Sequence, residues 1–178
     1  MSKSRGKPFE AIIKATLEKV PGVSIDRFKD PTAGFSGVAN ISDFVAYKYP
    51  YQFYLECKTT HGGTLNFKGA ISETQWNGLA EKSKIKGVGA GILVWFVKHN
   101  ITCFVPIQIL VQMKKEGAKS IGYRTIIAQE SCRIMCPGKK KRVYYTYDGK
   151  EFMRRLKDWM VWQFIALAGE EEYNDDWK

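Results

Sequence analysis

Ten consecutive residues from Val88 to Val97, VGAGILVWFV, carry no charge. A run of this length falls short of the roughly 18 apolar residues that a membrane-spanning helix needs. It has the composition of a strand buried on both faces. A chain with such a strand must supply neighbours for both of its edges and cover for both of its faces. The rest of the sequence provides them. Lys98-His99-Asn100 turns the chain into a second strand, Ile101–Val105, and a short helix begins after Pro106. Upstream, Ile41–Tyr47 and Tyr51–Lys58 have strand character, and Lys48-Tyr49-Pro50 between them predicts a β-hairpin.

Three longer helices complete the order. Phe9, Ile12, Ile13, Thr16, Leu17 and Val20 recur at helical spacing, with Pro8 suited to a first turn and Pro21-Gly22 as the stop. Ser72-x-x-Gln75 has the form of a capping box opening a helix to about Lys84, with Trp76, Leu79, Ala80 and Ser83 on one face. The last helix runs from about Glu151 to Ala168, with Phe152, Leu156, Trp159, Met160, Phe164 and Leu167 facing in. Residues 120 to 150 read as irregular or edge structure. The order α-β-β-α-β-β-α predicts a mixed α/β fold. No repeat or linker divides the chain, so one domain is expected, closing in an acidic tail at 169–178.

Charge narrows the partners. The net charge is +10, although five acids crowd into Glu170–Asp176, so the remainder is more basic still. With 13% aromatic residues, that points to a polyanion, nucleic acid first. No basic helix with a broad apolar face favours a membrane surface. The N-terminus leads into an amphipathic stretch rather than a signal-peptide core, which predicts a cytoplasmic protein. Cysteine usage agrees. Cys57 and Cys103 fall in apolar strands, and the spacing of Cys132 and Cys136, even with His61 or His99, does not favour zinc.

The chemistry concentrates in Tyr51-Gln52-Phe53-Tyr54-Leu55-Glu56-Cys57-Lys58. Side chains alternate across a strand, so Tyr51, Phe53, Leu55 and Cys57 share one face and Glu56 and Lys58 the other. A hairpin can bring Asp43 opposite Glu56. Two converging carboxylates repel, and a divalent cation relieves the repulsion. Oxygen donors suit Mg²⁺, with Mn²⁺ as a substitute. Such a cation stabilises charge on a scissile phosphate. Lys58 beside it would act on the attacking water or on the phosphate.

An Asp, a spacer and Glu-x-Lys at a strand end resemble the PD-(D/E)xK nuclease superfamily. Its fold is a restriction-endonuclease-like mixed β-sheet core flanked by helices. Residues 4 to 113 further resemble the RecU-type Holliday junction resolvases of Gram-positive bacteria and their phages. The matching segments are Arg5-Gly6 with Glu10, Asn40-Ile41-Ser42-Asp43-Phe44, Leu55-Glu56-Cys57-Lys58-Thr59-Thr60, Leu65-Asn66-Phe67 and Ser72-Glu73-Thr74-Gln75. Thr74 stands where that family has His, and Cys57 where it has Ala. The resemblance implies a homodimeric, Mg²⁺-dependent endonuclease acting on four-way DNA junctions in recombination and repair. It also implies a projecting, stalk-like segment, here 27–40, and an auxiliary acid at Glu10.

The remaining candidates carry alternatives. Glu10 is either that acid or an exposed partner of Lys14. Gln75 either serves the site or caps its helix. Arg5, Lys7, Arg27, Lys29 and Lys68, together with Lys82, Lys84 and Lys86, are candidate phosphate contacts. Phe35 is a candidate for stacking in a junction's open centre. Lys139-Lys140-Lys141-Arg142 with Tyr144, Tyr145 and Tyr147 suits nucleic acid or a plain edge loop. The last helix and Ile101–Val105 are candidate dimer contacts. Three functions stay open: a junction-selective endonuclease, a sequence-specific restriction-type nuclease, and a non-catalytic nucleic-acid-binding protein.

Overall fold

Helix α1 (Gly6–Leu17) buries Phe9, Ile13 and Leu17 at the i, i+4 spacing that lines one helical face. The structure is a computed structural model, and it describes residues 6–28, 40–141 and 145–171. Strands β1 (Ser24–Arg27), β2 (Phe44–Lys48) and β3 (Tyr51–Thr60) follow, then the short β4 (Thr64–Asn66), the single turn α2 (Phe67–Ala70) and α3 (Glu73–Lys82). Next come β5 (Val88–Phe96), β6 (Ile101–Pro106), α4 (Ile107–Lys115), β7 (Ser120–Gly122) and α5 (Tyr123–Ala128). The chain ends with β8 (Ile134–Met135), β9 (Gly138–Lys140), β10 (Tyr145–Tyr147) and α6 (Gly149–Glu171).

Six strands form one sheet in the order β1-β2-β3-β5-β6-β8. β5 is its buried interior strand, as its composition requires. It pairs parallel with β3 on one edge and antiparallel with β6 on the other. A parallel neighbour demands a crossover, and β4, α2 and α3 make it. Helices α1 and α6 cover one face through Phe53, Leu55, Cys57, Leu93 and Phe104. Helices α3 and α4 cover the other through Tyr54, Ile92, Val94, Cys103 and Val105. This is the mixed sheet flanked by helices expected of a restriction-endonuclease-like core. Fully buried rings such as Phe9, Phe44, Phe53 and Phe104 each stabilise it by roughly 1.5–3 kcal/mol.

Several expectations are corrected. Arg27 does not open a loop but ends β1, which pairs antiparallel with β2; residues 29–39, most of the expected projection, lie outside the described residues. The 120–150 region holds β8 of the main sheet and a small β9–β10 hairpin. β8 pairs with Cys103 and Phe104 of β6, and Thr102–Val105 is buried, so that stretch of Ile101–Val105 packs inside the monomer. The last helix starts at Gly149 and runs to Glu171, into the expected tail. Phe152, Leu156 and Met160 are buried, and Trp159 packs edge-on against Phe104 at 5.7 Å. The side chains of Phe164 and Leu167 lie outside the described ones. Cys57, Cys103 and Cys136 are buried free thiols, and burial pushes the Cys103 thiol up to about 12. His99 stacks on Tyr123 at 3.6 Å. Among the described residues no helix is long and apolar enough to cross a membrane.

Candidate active site

The β2–β3 register pairs Phe44 with Leu55, so Asp43, one residue before β2, falls level with Glu56. The backbone N–H of Cys57 donates to Asp43 Oδ2 at 2.7 Å, fixing that carboxylate against β3. The segment leading to Asp43 is also held. Ser42 is buried, and its hydroxyl donates to the Phe44 carbonyl at 3.1 Å. Ile41 packs on α3 at Gly78, where an added Cβ would lie 2.2 Å from Ile41 Cγ2. Gly78 therefore lets the Asp43 segment sit close to the helix that carries Gln75.

Alternation along β3 sends Tyr54, Glu56 and Lys58 to the α3 side. Glu56 is only 3% exposed, Lys58 23%. Lys58 Nζ lies 2.7 Å from Glu56 Oε1. Gln75 Nε2 donates to the same oxygen at 2.6 Å. The two readings of Gln75 hold together. Its backbone N–H donates to Ser72 Oγ at 3.2 Å and its Oε1 accepts from the Ser72 N–H at 3.1 Å, completing a capping box. Its amide nitrogen remains for Glu56. The cap thus fixes the side chain that orients the carboxylate.

Electrostatics follow from this geometry. Burial raises the Glu56 carboxyl most, the Asp43 charge raises it further, the Lys58 ammonium opposes both, and Glu10 adds a smaller upward push. The balance brings Glu56 up to about 7. This is a carboxylate whose negative charge is costly until a cation shares the site. The donors fit a hard divalent ion: two carboxylates close enough to repel, with a lysine ammonium already drawn to one of them. Among the described residues no group of three or more His, Cys, Asp or Glu side chains is placed to hold a metal. Mg²⁺ commonly takes one or two carboxylates and completes its shell with water and substrate phosphate.

Glu10 is 14% exposed and pairs with Arg27 at 2.6 Å, while Lys14 pairs with Glu18. The expected Glu10–Lys14 alternative is thus replaced by Glu10–Arg27, in which Arg27 stays about half exposed. Lys7 and Lys68 are exposed on α1 and α2. Lys82 lies over the Tyr54 ring at 5.5 Å, and Lys84 pairs with Glu81 at 2.7 Å. Arg5, Lys29 and Phe35 lie outside the described residues. Tyr145 is buried and Tyr147 half-buried. The Tyr145 hydroxyl donates to the Asn100 carbonyl and that of Tyr147 bonds Thr102 Oγ1, both at 2.9 Å.

Sequence reasoning missed Ser42, Gly78 and the Cys57 N–H. A glycine inside a helical pattern was the available signal for the second, since it marks a close approach or a cap.

No described protein family matches the chain, and no curated protein does. Among solved structures, Hjc, a Holliday junction resolvase from the archaeal hyperthermophile Archaeoglobus fulgidus, is 21% identical and matches with a TM-score of 0.44. The match covers 58% of this chain and 78% of that one.

Proposed function

We propose that this protein is a Mg²⁺-dependent DNA endonuclease whose centre is Asp43, Glu56 and Lys58. The observation that carries this reading is the near-complete burial of Glu56 beside Asp43 and Lys58, with its carboxyl raised to about 7. A non-catalytic binding protein gains nothing from ionising a buried acid next to another acid. A metal-assisted hydrolase does.

Asp43 and Glu56 would hold the cation, which when bound stabilises the negative charge that grows on a scissile phosphate. Asp43 is preset by the Cys57 N–H, and Glu56 by Gln75. Lys58, more exposed than Glu56, can turn its ammonium from the carboxylate to a phosphate oxygen and neutralise charge there. Glu10 adds negative potential and keeps the Arg27 guanidinium engaged.

The substrate in this reading is branched DNA. The net charge of +10 suits the phosphate backbone, and the resemblance to RecU-type resolvases supplies the four-way junction. Two opposed cuts need two centres, so the reading includes a homodimer. A matched four-way junction and linear duplex, each incubated with Mg²⁺ and with EDTA, test it. Cutting confined to Mg²⁺ and favouring the junction by about tenfold or more is the expected result, the size that one stacked base supplies. Equal cutting of both substrates would remove the junction specificity. Absence of cutting with Mg²⁺ or Mn²⁺ would remove the nuclease.

A further inference from the structure

A groove of about 720 Å³ lies between α1 and the β9–β10 hairpin, lined also by the start of α6. Its lining includes none of Glu10, Asp43, Glu56, Lys58 or Gln75. Lys19, in the turn that follows α1, lies nine residues beyond Glu10. Lys48, in the β2–β3 turn, donates to the Pro21 carbonyl, which ties this end of α1 to the end of the hairpin remote from Glu56.

Three lysines line the groove, Lys19 from the turn after α1, Lys139 from β9 and Lys150 from α6, and all are exposed. None of them is in an ion pair with a described residue. The acid in the lining, Asp148, is occupied: its Oδ1 accepts from the Glu151 N–H at 3.0 Å, capping α6. The walls are close-packed. A Cβ on Gly149 would sit 2.9 Å from both Cγ2 and the carbonyl oxygen of Thr16, so the start of α6 is seated directly on α1.

We propose that this groove holds the phosphate backbone of a duplex DNA arm away from the centre where the strand is cut. Its charge is complementary to phosphate. The tyrosines in its lining have their hydroxyls bound and their rings packed, Tyr145 against Tyr147 at 5.0 Å and Tyr147 against Phe9 at 6.0 Å, which leaves little ring surface for an unstacked base. That favours backbone contact with a paired arm over a single strand. The nuclease reading enters only in naming DNA as the polyanion.

The test is duplex binding by fluorescence anisotropy in EDTA, with a duplex several helical turns long, from roughly 50 to 200 mM salt. K19E/K139E is compared with K115E/K119E, which makes the same change in net charge at exposed sites outside the groove lining. The groove pair should lose at least tenfold in affinity at low salt. Its log–log salt slope should fall by about two, near 0.9 for each phosphate contact removed. The control pair should lose much less and keep its slope. K19A/K139A, gentler on the helix end, should move in the same direction with an unchanged melting temperature. Equal losses in both pairs would overturn the proposal. So would a groove-specific loss of poly-glutamate binding with duplex binding intact, which would assign the groove to an acidic protein. Because the reading is made without metal, failure of cleavage and failure of the groove are separate results.

Discussion

Glu56→Gln is expected to abolish strand cleavage, a loss on the order of a thousandfold or more, and at the same time to stabilise the fold at alkaline pH. The first effect follows from removing a cation ligand, since several kcal/mol of transition-state stabilisation correspond to that range of rate. The second follows from the carboxyl's position. Its pKa lies at about 7 in the folded protein, above the ordinary 4.5 of a glutamate. The folded state therefore binds that proton more tightly than the unfolded chain, and stability falls as pH rises from about 4.5 through about 7. The cost at pH 8 is on the order of 3 kcal/mol as an upper figure. Glutamine keeps an oxygen for Gln75 and never ionises. In EDTA the variant should melt several degrees above wild type at pH 8, and the gap should shrink toward pH 5. A variant that melts below wild type at both pH values, or still cuts, would contradict the role given to Glu56. DNA affinity in EDTA should be unchanged or tighter, because a negative charge is lost.

Lys58→Ala should reduce cleavage by roughly a hundred- to a thousandfold, the usual range for removing one electrostatic contact to a transition state. Mg²⁺ binding should survive, because an ammonium cannot ligate a cation. Removing the ammonium 2.7 Å from Glu56 also removes a competitor for that carboxylate, so the metal affinity measured by calorimetry should not fall. A variant that loses Mg²⁺ affinity while retaining the wild-type rate at saturating metal would show that Lys58 organises the metal site and does not act on the phosphate.

Much of this centre was legible in the sequence because its parts sit on strongly patterned elements. The apolar alternation Tyr51, Phe53, Leu55, Cys57 fixes the opposite face for Glu56 and Lys58, and Lys48-Tyr49-Pro50 fixes the turn that returns Asp43 to them. Ser72 and Gln75 announced the cap of α3, yet pattern alone could not reveal that Gln75 spends one end on the cap and the other on Glu56. That double duty depends on the crossover bringing α3 over β3. β1 escaped notice because Ile25 is the single apolar residue among its four, which gives no period to read. The three-residue strands β4, β7, β9 and β10 and the two-residue β8 are too short for any periodicity, and only their pairing partners define them. The Glu10–Arg27 pair is likewise tertiary: neither residue's neighbours in sequence indicate the other.

The central claim is that Asp43 and Glu56 hold a metal that cuts DNA. Its most direct measurement is Mg²⁺-dependent release of labelled strand from a four-way junction by wild type and Asp43→Asn, purified identically. The account predicts cleavage by wild type that EDTA stops, and loss of at least a hundredfold in Asp43→Asn while junction binding in EDTA persists. Cleavage by Asp43→Asn at the wild-type rate would contradict it.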